Sequence, residues 1–141
     1  ASHLAGCAIN ITKTTAPHAV SYPMTSYFGV THGHAVGLLT AQFLPFNEGV
    51  TEEDCLDVRG AEWVKEQLRE ISCKLGANDA EHASGSLLGK MQNLGLPTNL
   101  PQLGINTSDD IAIVIQNGFD SSRVKNNPRT ISETTLRKIV K

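Results

Sequence analysis

Three of the five histidines, His18, His32 and His34, fall within 17 positions of a stretch that reads TTAPHAVSYPMTSYFGVTHGHA from Thr14 to Ala35. Imidazole is the commonest metal ligand and titrates near neutral pH, so this grouping points to a site. A closed metal site takes about four ligands, and a catalytic one about three plus an open position. The stretch supplies His18 and His32 with no carboxylate or cysteine close by, and so spells only part of a site. His34 follows His32 by two residues and on a helix points away from it, which suits a supporting or substrate-facing residue. A self-contained site would have to draw on His18, His32, His34 and Cys7, a set with no spacing rule behind it. His3 and His82 read as structural or solvated.

On one unbroken helix, His18 and His32 would share a face but stand about 21 Å apart along the axis, too far to share an ion. Two imidazoles on one metal need their nitrogens within roughly 3–3.5 Å of each other, so the chain must reverse between them. The intervening residues allow it. Pro17 suits the first turn of a helix carrying His18, Pro23 can bend or end that helix, and Gly29 offers the freedom for a return loop. His32 then opens a new helix that continues through Ala35, Val36, Leu38 and Leu39. The positive end of that helix disfavours imidazolium and keeps a ligand histidine neutral.

The elements that must hold these residues are helical. From Ala61, the apolar positions Val64, Leu68, Ile71 and Leu75 recur at helical spacing until Gly76 offers a left-handed cap. Trp63 lies off this stripe and is placed to pack against a neighbour. A second helix is expected from an Asn78 or Asp79 cap, with Ala80, Ala83, Leu87, Met91 and Leu94 on one side, ending at Gly95 and Pro97. The segment LPTNLPQLGI, 96–105, reads as an ordered loop with apolar anchors. Thr107 or Ser108 followed by Asp109 and Asp110 is a helix start. Ile111, Ile113 and Ile115 alternate as in a strand, but the cap and Gly118 decide for a helix. Asn126, Asn127 and Pro128 form a turn, and Thr130 with Glu133 could make a capping box for a last helix through Leu136 and Ile139. The expected fold is an all-α bundle, a single helical domain over 1–141.

Composition narrows the function classes. Hydrophobic residues make up 40% and charged residues 18% of the 141, enough for an ordinary core. A net charge of −2, with Lys and Arg dispersed, gives no electrostatic reason for nucleic acid or an anionic membrane as partner. The longest apolar run, Ala35 to Phe46, is too short for a bilayer and is broken by Gly37, Gln42 and Pro45. Cys7, Cys55 and Cys73 are odd in number and lack any CxxC, which suggests neither a disulfide framework nor a thiolate zinc site. The N-terminus lacks the basic and apolar regions of a secretory signal, so a reducing cytoplasm is the expected setting.

The segments His18-Ala-Val-Ser-Tyr22-Pro23 and Phe28-Gly-Val-Thr-His32-Gly-His34-Ala-Val36 resemble the second metal-binding signature of the iron-containing alcohol dehydrogenases. GCAINITKTT, 6–15, is similar to the helix before that signature, and Leu44-Pro45-Phe46-Asn47 to the segment closing the next helix. Gly95-Leu96-Pro97-Thr98, Leu103-Gly104-Ile105 and Asn127-Pro128-Arg129 follow in the family's order. The resemblance covers nearly the whole chain. The wording TTAPHAVSYP and THGHAV is closest to members that reduce phosphonoacetaldehyde.

The resemblance implies the C-terminal helical part of a two-part enzyme of the iron-containing alcohol dehydrogenase and dehydroquinate synthase-like fold, with a nucleotide-binding domain upstream. It implies His18 and His32 as two ligands of a divalent metal, Fe2+ or Zn2+. The other two, an aspartate and a histidine one helical turn apart, would lie before Ala1. No Asp-x-x-x-His occurs here, and Asp79-x-x-His82 falls in a different expected helix. In the family the metal polarises an alcohol or aldehyde oxygen while hydride passes to or from NAD(P). Tyr22 stands where many members carry another histidine facing nicotinamide and substrate, which implies a place on that side. A small anionic aldehyde would make Lys13, Thr14, Thr15 and His34 candidate contacts. The chain alone would be inactive. The rival expectation is a non-enzymatic helical module that hides its exposed apolar surface by forming a homo-oligomer.

Overall fold

The computed structural model describes residues 2–119 and 124–140. These hold seven α-helices, α1 (Ser2–Ile11), α2 (Ala16–Phe28), α3 (His32–Glu48), α4 (Ala61–Lys74), α5 (Ala80–Asn93), α6 (Ser108–Gly118) and α7 (Glu133–Ile139), with a 3-10 turn at Pro101–Leu103. The described residues contain no strand, only an isolated bridge between Cys55 and Arg129. The all-α expectation holds. No helix among the described residues is long and apolar enough to cross a membrane.

The central element is α3. Its Ala35, Leu38, Leu39 and Phe43 meet Val20 and Met24 of α2, Val114 and Ile115 of α6, and Leu136 of α7 in the main core. Its C-terminal Leu44 belongs to a second cluster with Val50, Ala61, Val64, Leu68, Ala80 and Ala83, which binds α4 and α5 to the far end. Leu100 and Ile105 plug the main core from the 96–105 loop, as its apolar anchors suggested.

Helix ends follow local chemistry. Thr107 and Asp110 form a reciprocal capping box that starts α6, which settles the strand-or-helix ambiguity of the isoleucines. Asp79 caps α5 through the amide of His82. Gly29 closes α2 at φ +68°, a conformation that L side chains rarely adopt.

Four expectations are corrected. Pro23 neither ends nor breaks α2, which runs on to Phe28. Pro23 is buried and its ring abuts the Gly118 position, so packing against α6 offsets the lost backbone bond. Ile71 is 45% exposed while Ser72 is fully buried, because the stripe through Ala61, Val64 and Leu68 has its midline nearer to position 72. Leu94 is 77% exposed, since α5 stops at Asn93 and Leu94 lies past its last turn. The cap of α7 is Ser132, whose side chain accepts from the Thr135 amide, rather than Thr130. Trp63, in turn, carries the Arg59 guanidinium 3.3 Å over its ring.

The Asn127-Pro128-Arg129 segment fastens the C-terminal region to the end of α3. Asn127 is 1% exposed and donates at 2.8 Å to Oδ1 of Asn47 and at 2.7 Å to the Arg129 carbonyl. Arg129 donates at 2.7 Å both to the Phe46 carbonyl and to Asp54 Oδ2. Burial pushes the Asp54 carboxyl up, but bonds from the Thr51 amide and Arg129 outweigh it and hold the group below its usual 3.8. A lowered folded-state value contributes stability that is complete above the unfolded value and lost as pH falls through the folded one. Asp54→Asn is therefore expected to flatten the acid limb of the Tm–pH profile below about pH 4, and to cost about 1 kcal/mol or less at pH 7 because the pair is partly solvated. An unchanged acid limb would remove Asp54 from this role.

Candidate metal centre

Helices α2 and α3 meet in a tight reversal that sets the two proposed ligands side by side. His18 lies in the first turn of α2, behind Thr15 at the N-cap and Pro17. His32 is the first residue of α3, after Thr31 at its N-cap. Only Gly29, Val30 and Thr31 separate the helices, and Val30 donates its amide to the Met24 carbonyl at 3.2 Å, so the loop folds back onto α2.

The rings of His18 and His32 lie edge to face, with centroids 5.6 Å apart. Two imidazoles on one ion with metal–nitrogen bonds of about 2.0–2.1 Å place their centroids roughly 5 Å apart, close to the separation found here. His32 is exposed and His18 half-buried, which leaves the pair open on one side. Tyr22, 43% exposed, stacks on His32 with centroids 5.4 Å apart and planes 20° from parallel. The helical turn between His18 and Tyr22 thus puts Tyr22 beside the pair.

His34 is turned elsewhere. Its Nε2 donates to the Pro97 carbonyl at 2.6 Å, and it lines an open hollow with Phe28, Thr31, Pro97 and Gln102. Among the described residues no group of three or more His, Cys, Asp or Glu side chains could hold an ion, so His18, His32, His34 and Cys7 do not converge. His3 and Cys7 face one another on α1, with Nε2 and Sγ 3.8 Å apart. Asp79 and His82 are joined at 2.7 Å in the cap of α5. Thr14 accepts from Asn126 at 3.3 Å through its carbonyl, tying the loop before α2 to the C-terminal region.

One residue at the centre was not singled out in the sequence. Ser21, fully buried on α2, donates from Oγ to the His18 carbonyl at 2.8 Å and lies 3.2 Å from Nδ1 of His32. Its signal was its place one turn after His18, but serines at that spacing are too common to stand out.

A chain that folds two histidines together at a helix reversal, with the helices around it all-α, matches a family model over its entire length. Residues 1–141 match the model described as the C-terminal region of the Fe-containing alcohol dehydrogenase family. The chain belongs to that family. A phosphonoacetaldehyde reductase of Streptomyces viridochromogenes is 39% identical over 83 residues, which is 59% of this chain and 21% of that protein. The match therefore spans about a fifth of the relative's length. An oxidoreductase family and an all-helical C-terminal region agree with the sequence resemblance.

Proposed function

We propose that the chain is the C-terminal helical part of a divalent-metal-dependent, NAD(P)-linked alcohol dehydrogenase or aldehyde reductase in which His18 and His32 hold the metal. The observation that carries this reading is the 5.6 Å approach of the two rings across the α2–α3 reversal, at the signature that the family resemblance marks. The reading is further supported by α1, which carries exposed Leu4, Ile9 and Ile11 and no buried residue, as expected of a surface covered by more of the polypeptide or by a second copy.

A divalent cation bound by these imidazoles supplies Lewis-acid polarisation of a substrate oxygen. His18 and His32 act as neutral donors, which suits iron and zinc alike. Tyr22 forms a wall beside His32 and limits how a substrate and a nicotinamide ring approach, standing where other members carry a histidine. His34, bonded to Pro97, braces the loop of 96–105 against the start of α3. The other ligands and the nucleotide site are supplied by other parts of the polypeptide, so residues 1–141 by themselves turn over no substrate. A cytoplasmic, oligomeric enzyme fits this reading, with neither nucleic acid nor membrane as a partner.

The substrate class we infer is a small anionic aldehyde, supported by the likeness to the Streptomyces phosphonoacetaldehyde reductase. Lys13, Thr14 and Thr15, just before α2, are the candidate contacts for its charge. The intact protein is expected to oxidise NADH or NADPH with phosphonoacetaldehyde, with kcat/KM at least about tenfold above that for an uncharged aldehyde of similar length, since a lost charge-assisted contact costs about 1.5–3 kcal/mol. Chelation should abolish this and Fe2+ or Zn2+ restore it. Absence of any nicotinamide-linked turnover after metal reloading would overturn the reading.

A further inference from the structure

The two bonds of Ser21 determine which nitrogen of His32 faces a metal. A hydroxyl carries one proton, and that of Ser21 goes to the His18 carbonyl, which can only accept. Toward Nδ1 of His32 the same oxygen therefore presents a lone pair, and Nδ1 must carry the ring proton. Nε2 is left as the ring's electron-pair donor. The bridge also runs from the backbone of one proposed ligand to the ring of the other, so it fixes the orientation of His32 relative to the helix that carries His18.

We propose that Ser21 is a positioning residue of the metal centre: it selects the Nδ1–H tautomer of His32, aims Nε2 toward the cation and couples the two ligand helices. The proposal rests on the reading of His18 and His32 as ligands. Partners of this kind hold a ligand histidine in one tautomer and raise its basicity, and their loss costs about 10–100-fold in metal affinity. Ser21 is 0% exposed, so no water takes over the Oγ position without a cavity forming.

The test uses the intact protein as wild type, Ser21→Ala, Ser21→Thr and His32→Ala. Long-range 1H–15N spectra of the metal-free, histidine-labelled protein report the His32 tautomer, and chelator competition reports the Kd for Zn2+. In the wild type the Nδ1–H tautomer is expected. Ser21→Ala should mix the two tautomers and raise the Kd about 10–100-fold in a protein that still folds with a lowered Tm, since two buried contacts are lost, while Ser21→Thr, which keeps the hydroxyl, should retain the tautomer. An Nδ1–H tautomer that persists in Ser21→Ala, or a Kd within about twofold of wild type, would overturn the role of Ser21. If His32→Ala binds Zn2+ as tightly as the wild type, the underlying assignment of the ligand falls instead.

Discussion

His32→Ala in the intact protein is expected to raise the Kd for Fe2+ or Zn2+ by at least about a hundredfold and to lower aldehyde reduction by at least about a thousandfold. Loss of a residue that merely supports a ligand costs about 10–100-fold in affinity, and loss of the ligand itself must exceed that. His18→Ala should behave alike, because a site with two ligands from one reversal loses half of that contribution with either. The fold should survive His32→Ala, since the ring is exposed and buries no core surface. A contrast comes from His34, whose Nε2 serves the Pro97 carbonyl. His34→Ala is expected to leave the metal Kd within about threefold and to lower stability by about 1 kcal/mol through the lost bond. If His34→Ala and His32→Ala weakened metal binding equally, the division of labour between them would be wrong.

Gly118→Ala is expected to destabilise the protein by about 2 kcal/mol, although alanine is the better helix former by about 1 kcal/mol. The sign is decided by space. A Cβ at Gly118 would stand 2.9 Å from Cα of Val20 and 3.3 Å from Cγ of Pro23, and the nearer contact is backbone, which cannot rotate away. Helix α6 packs there with Gly118 against the Val20 backbone and the Pro23 ring of α2, and overpacking of this kind costs about 1–3 kcal/mol. Because Val20 and Pro23 flank Ser21 and Tyr22, the displaced helix carries the proposed metal centre with it. Thermal unfolding should show a lowered Tm, accompanied by weaker metal binding. An unchanged or raised Tm would mean that α6 slides freely on α2.

Helices with an amphipathic stripe and a chemical cap were legible in the sequence, as α4 and α6 show. Periodicity and caps are local, so a single chain carries them in full. What periodicity left open was the midline of each buried face. Ile71 and Ser72 differ by one position, and only the approach of α3 and α5 decides which is covered. Pro23 could not be read as a helix interior, because its tolerance depends on Gly118, 95 residues away. The buried Asn47–Asn127 bond spans 80 residues and was equally out of reach.

The centre divides in the same way. The residue types and 14-residue spacing of His18 and His32, with glycine and proline between, required a reversal if both were to serve one ion, and the structure makes that reversal at Gly29. The orientation of His34 toward Pro97 and the bridge through Ser21 depend on side-chain directions set by tertiary packing, which no spacing rule contains.

The central claim is that His18 and His32 share one divalent cation. Anomalous diffraction at the iron and zinc edges from crystals of the intact protein tests it most directly. The account predicts one peak about 2.0–2.2 Å from an imidazole nitrogen of both residues, at Nε2 in His32. A bound metal whose shell contains neither ring, or only one of them, would contradict it.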